Sequence, residues 1–168
     1  MAANSDRAVE RAAELADAWV INPHATVRTI ARQVGLYRAA LKRAGKPFPP
    51  ELPMAREIFV AGSREHAIRL ARPYVEMKYD TYIAWGQHRA LPADDSMAQP
   101  FDALIKDRFI LGDSAECADE INRCAAATGA TTMIFRVAWP GMPHALVVEA
   151  MRLLAEQVRP RLAEPRPA

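Results

Sequence analysis

No apolar run of roughly 18 residues occurs in the chain, which leaves no candidate for a membrane-spanning helix. The opening MAANSDRAVERAAE turns charged almost at once and does not read as a signal peptide. Charge of one sign is also scarce: 22 Lys and Arg against 20 Asp and Glu leave a net +2, and the signs are interspersed. Neither nucleic acid nor an anionic membrane is expected as a partner. Cysteine is limited to Cys117 and Cys124. On one helix, a rise of about 1.5 Å per residue sets them roughly 10 Å apart, beyond the reach of a disulfide. A reduced, cytoplasmic setting follows as the default. His66, His88 and His144 lack metal-ligand spacing, and there is neither a glycine-rich phosphate loop nor a nucleophile elbow.

What is present is the composition of a soluble domain: 168 residues, 51% hydrophobic and 25% charged. The organising stretch is Thr131 to Leu162. Its first part is apolar and β-branched, lies between Gly129 and Pro140, and reads as a buried strand. After the turn at Trp139 to Pro143, the residues Val147, Ala150, Met151, Leu154 and Val158 recur at helical spacing. A buried strand followed by an amphipathic helix is the unit of a parallel α/β sheet.

Similar units recur. Ser5 caps a predicted helix carrying Val9, Ala12, Ala13 and Ala16, and Ala18 to Ile21 is a short strand stopped by Asn22-Pro23. Thr26 opens a helix with Val27, Ile30, Val34, Tyr37 and Leu41 on one side, closed by Gly45. A proline-rich connector, 46–53, leads to a strand over Arg56 to Ala61. Ser63 then caps a helix that Pro73 should end or kink, with a helical pattern resuming up to Trp85-Gly86. Gln87 to Pro100 is a long aperiodic loop, read as a lid, a binding loop or a disordered segment. Phe109 to Leu111 is brief and extended, and Ser114 caps a helix ending at Gly129. About four strand–helix units result, in one domain spanning 1–162, with 163–168 as a frayed tail.

Parallel α/β folds bind ligands at the carboxyl ends of their strands. Asn4, Ser5 and Arg7 there could hold a phosphate on a helix N-terminus, as could Ser63 and Arg64; ordinary N-caps are the plainer reading of both serines. His24 is placed at a strand end as a proton donor or a hydrogen-bond partner to a ring, although no acid is spaced locally to orient it and a loop histidine with no task is the commoner case. Arg136 is the sharpest anomaly, a charge near the end of a strand that reads as buried. It needs either a structural ion pair or an anionic ligand. Trp139 could stack on a flat cofactor, though packing is the cheaper account.

Three stretches in one order carry a resemblance: AANSDRAVERAAELADAWVINPHAT, AREIFVAGSREHAIRLARPYVEMKYDTYIAWGQ and DRFILGDSAECADEINRCAAATGATTMIFRVAWPGMP. From about Ala2 to about Leu162 the chain resembles the C-terminal half of luciferase-like flavin-dependent monooxygenases. The resemblance implies a (β/α)8 barrel that binds reduced FMN, or in relatives a deazaflavin, and inserts one oxygen atom of dioxygen into a small organic substrate. It also implies that Asn4 and Ser5 contact the flavin phosphate. His24 and Arg136 fall on the NPH and RV-x-WPGMP patterns without an assigned role. The chain departs from the family in supplying only a half barrel, because closure needs eight strands. It is therefore expected to be inactive without the N-terminal half, and to pair with a separately encoded one, to self-associate into a pseudo-barrel, or to be a truncated reading frame that folds poorly.

Overall fold

The computed structural model describes residues 1–163. Five parallel strands alternate with helices: β1 (Ala2–Ala3), α1 (Asp6–Leu15), β2 (Val20–Ile21), α2 (Val27–Arg43), β3 (Pro53–Val60), α3 (Arg64–Ala84), α4 (Phe101–Leu104), β4 (Phe109–Gly112), α5 (Ser114–Thr128), β5 (Thr132–Arg136) and α6 (His144–Leu153). The parallel sheet of alternating βα units is therefore as expected. No helix among the described residues is long and apolar enough to cross a membrane.

The sheet branches at β3. Met54 is registered with both Ile21 and Met133, so β2 and β5 flank β3 on opposite edges. Further along, Glu57 to Val60 pair with Phe109 to Gly112 of β4. Four strands, β1-β2-β3-β5, thus form a continuous wall, and β4 is a fifth strand laid against the carboxyl half of β3. The expectation of about four units missed this split. β3 is also longer than predicted, starting at Pro53.

Side chains alternate along β3, as the pleat demands. Ile58 and Val60 pack with Cys117, Ala118 and Ile121 of α5 and with Val158. Glu57 and Phe59 face the other way, toward α3 and Trp139. The two free cysteines are buried, and burial pushes their thiols up to about 12 (Cys117) and about 11 (Cys124).

Four local expectations are corrected. β5 is not buried: Thr132, Ile134 and Arg136 are exposed and only Met133 and Phe135 turn inward, so one of its two faces is left uncovered by the described residues. Pro73 does not end the helix, and α3 runs through it. The proline lies on the solvent side, where water can satisfy the carbonyl it deprives, while Ala67, Ala71, Val75 and Tyr79 keep one face buried. Asp113, not Ser114, caps α5, since its carboxylate accepts from the Ala115 and Glu116 N–H groups and Glu116 reaches back to close a capping box. In the loop 87–100, Asp95 is buried and accepts from Thr26 N–H (2.8 Å) and from Arg108. The loop is therefore pinned to the start of α2 rather than loose. Of the expected frayed tail, Ala163 donates its N–H to Asn122 Oδ1 (2.9 Å), and 164–168 lie outside the described residues.

Candidate functional site

At the end of β1 the chain turns into α1 through Asn4 and Ser5. Ser5 is extended (φ −89°, ψ 154°), and its Oγ accepts from Ala8 N–H at 3.3 Å. The plain cap reading of Ser5 therefore holds, and it leaves the hydroxyl proton free to donate. The Asp6 and Arg7 N–H groups precede the first intrahelical bond and point out of the helix start. Asn4 is fixed by its neighbours, since Asn22 Nδ2 donates to its Oδ1 (3.0 Å) and Gln33 Nε2 to its carbonyl (2.8 Å). Asp6 would repel an anion, but it is tied to Arg32 by two hydrogen bonds (2.7 and 3.0 Å). That hydrogen bonding, against some desolvation, lowers its pKa below the usual carboxylate range. Arg7 is exposed. The second candidate turn is less open, because Arg64 Nη1 donates to the Leu111 carbonyl (2.8 Å) and Ser63 caps His66 (3.1 Å).

The end of β2 presents His24 on a loop gripped by two buried arginines. Arg56 Nη1 donates to the carbonyls of Ala25 (2.8 Å) and Pro23 (3.4 Å), and Arg108 Nε to that of His24 (2.7 Å). Three consecutive carbonyls are thus held, and the imidazole is half-buried edge-on to Tyr82, with ring centroids 5.4 Å apart. Burial pushes His24 down to about 4. Lys78, Arg136 and Arg108 add to the shift and Glu57 opposes it, so the ring is neutral near pH 7.

Beside His24 lies a polar cluster that the sequence reading did not single out. Glu57 is fully buried; one carboxylate oxygen accepts from Lys78 Nζ and, at 3.4 Å, from Tyr79 Oη, and the other accepts from Trp139 Nε1. Desolvation lowers the Lys78 pKa, with Glu57 opposing it, and raises that of Tyr79 well above its usual value. Trp139 is 4% exposed and packs near Phe59 (centroids 6.2 Å), which places it in the core rather than on an open face where a ring could stack. Its turn closes through Met142 N–H to the Trp139 carbonyl (3.1 Å), and Gly141 at φ +81° supplies the positive φ that the turn requires. Arg136 has a loose ion pair and an open side: Nη1 is 3.8 Å from Glu57 and 3.4 Å from Tyr82 Oη, and its side chain is 47% exposed. The signal that could have found Glu57 was the one used for Arg136, a charge inside a strand, here the second of two beside Arg56.

The structure therefore gathers His24, Tyr82, Arg136, Glu57 and Lys78, and holds Asn4 and Ser5 one strand away through Asn22. Two surface hollows lie elsewhere. One, of about 510 Å³, runs between β4 and α5 past Arg64 and Arg123; the other, of about 260 Å³, lies between α3 and the loop near Met97 and Phe101. Neither touches Asn4, Ser5 or Arg7.

A parallel sheet of alternating βα units, with the candidate residues at the carboxyl ends of its strands, defines an α/β protein. The family model described as luciferase-like monooxygenase matches residues 1–132, and the chain belongs to that family. Among solved structures, the monooxygenase RslO1 from Streptomyces bottropensis is 22% identical at a TM-score of 0.71, with 96% of this chain and 47% of that one covered. The oxygenating constituent of 3,6-diketocamphane monooxygenase from the CAM plasmid of Pseudomonas putida, solved in complex with FMN, is 18% identical at 0.72, with 98% and 49% covered. A coenzyme F420-dependent tetrahydromethanopterin reductase from Methanopyrus kandleri is 17% identical at 0.65, with 97% and 50% covered. At these identities the likeness shows the fold alone. The chain spans about half the length of these solved relatives. A search of curated proteins by sequence returned no match.

Proposed function

We propose that this chain is the phosphate-holding half of a flavin-dependent monooxygenase, catalytic only when the other half of its barrel is in place. Reduced FMN, when bound, supplies the two electrons with which one oxygen atom of dioxygen enters an organic substrate and the other leaves as water. The residues at the end of β1 suit its phosphate: the Ser5 hydroxyl and the N–H groups of Asp6 and Arg7 stand at a helix N-terminus, and the exposed Arg7 side chain belongs to the same first turn. The observation that carries this reading is the Asn4–Ser5 turn, locked by Asn22 and Gln33 with Asp6 already neutralised by Arg32. The 5′-phosphate of a deazaflavin would meet the same donors, so a deazaflavin is the alternative cofactor. A reducing cytoplasmic setting goes with the two unpaired thiols.

Titration of FMN with the chain, alone and with a supplied N-terminal half-barrel, tests this by quenching of flavin fluorescence. Arg7→Ala with Ser5→Ala should weaken uptake about tenfold, the scale of losing a charge-assisted phosphate contact. Absence of uptake of either flavin under both conditions overturns the proposal.

A second reading rests on a different observation. Among the described residues β5 pairs with β3 alone, and Ile134 on β5 and Val148 and Met151 on α6 are 49%, 48% and 52% exposed. A non-catalytic, self-associating half-barrel would cover them with a second copy. Sedimentation showing a stable dimer with no flavin uptake favours it.

A further inference from the structure

The arrangement around Arg136 has a surplus cation. Glu57 is satisfied at hydrogen-bonding range by Lys78, Tyr79 and Trp139, whereas Arg136 stands at 3.8 Å, outside that range. Arg136 cannot shed its charge. It turns its exposed half toward the open face of the wall, where the pleat places Ile134 two residues earlier on the same side (49% exposed). Next to the guanidinium lie the Tyr82 hydroxyl at 3.4 Å and, across the Tyr82 ring, the His24 imidazole. A fork of N–H donors, a phenol and a half-buried imidazole beside an apolar side chain form a subsite with one polar and one oily wall.

We infer that Arg136, with Tyr82 and His24, binds the carboxylate of a small organic anion whose apolar body lies against Ile134. This rests on the monooxygenase reading and names its substrate class, an acid bound at the β5 rim, one strand beyond β3 from the β2 end that holds His24. Arginine suits the task because its planar fork matches both oxygens of a carboxylate. A neutral His24 adds a donor or acceptor without a second charge that the buried Lys78 would oppose. Tyr82 belongs to α3 and His24 to the loop gripped by Arg56 and Arg108, so the subsite is assembled from three elements.

Side-chain NMR of the full chain tests it, with benzoate as probe and benzamide as its uncharged counterpart. Benzoate should shift the Arg136 Nε–H and His24 ring signals, assigned against Arg136→Gln and His24→Gln, and benzamide should not. Arg136→Gln should weaken benzoate about tenfold or more, and Arg136→Lys, which keeps the charge without the fork, by less. Comparable shifts with benzamide, undiminished binding to Arg136→Gln, or no benzoate shift at these residues overturn the inference. FMN uptake measured on the same variants separates the two proposals. Benzoate at Arg136 without flavin uptake defeats the flavin reading only, and flavin uptake with no benzoate at Arg136 defeats this one only.

Discussion

Two buried ion pairs serve this chain differently. Asp95 and Arg108 form a closed system: one Asp95 oxygen accepts from Arg108 and the other from Thr26 N–H and Oγ1, while Arg108 directs three further donors to the carbonyls of His24, Leu104 and Ser96. Every group faces protein, and the result fastens the loop 87–100 and the β2 end together. Glu57 and Lys78 are as deeply buried, but their network continues through Arg136 to the open face. A closed network fixes geometry. An open one leaves a charge for a ligand.

Breaking the closed pair should have the larger effect. Asp95→Ala strands Arg108, a cation that stays protonated, and should cost about 3–5 kcal/mol, read from urea unfolding midpoints. Glu57→Gln keeps the shape of the acceptor, and its partner has an escape, since Lys78 already has a lowered pKa and can lose its proton. The expected cost is smaller, about 1–3 kcal/mol. Equal losses in the two variants would show that the difference in escape routes does not matter and would erase the contrast.

Local chemistry made much of this fold legible in the sequence. Ser5, Thr26 and Ser63 cap the helices they were assigned, and Gly129 closes α5 at φ 72°, because caps and left-handed turns depend on residues within a few positions. Periodicity likewise gave the stripe on α2. What stayed hidden was distant in sequence or decided by neighbours. Trp139 and Glu57 meet across 82 positions, and nothing in either local pattern announces it. β5 looked buried because its composition suits a covered strand, yet burial depends on what packs over each face, and the face carrying Ile134 and Arg136 is exposed. The same limit applied to the candidate site. The Asn4–Ser5 turn and His24 were found from strand ends, whereas Lys78, read as one position in a helix, gains its meaning only from the β3 side chain it faces.

The smallest effect expected is a pH dependence that belongs to the open network. His24 has a pKa of about 4 when folded, against 6.5 for the free side chain. Between those values the unfolded chain binds the extra proton, so stability rises with pH through this window. It is complete above about 6.5 and falls as the pH drops toward 4. Asp95, lowered from 3.8, loses its contribution only at more acidic pH, so the closed network is silent in this range. Urea midpoints at pH 7 and pH 5 should therefore differ in the wild-type chain and draw together in His24→Gln, with Asp95 and Arg108 intact. A slope that survives His24→Gln would place the titrating group outside the network that Arg136 opens to solvent.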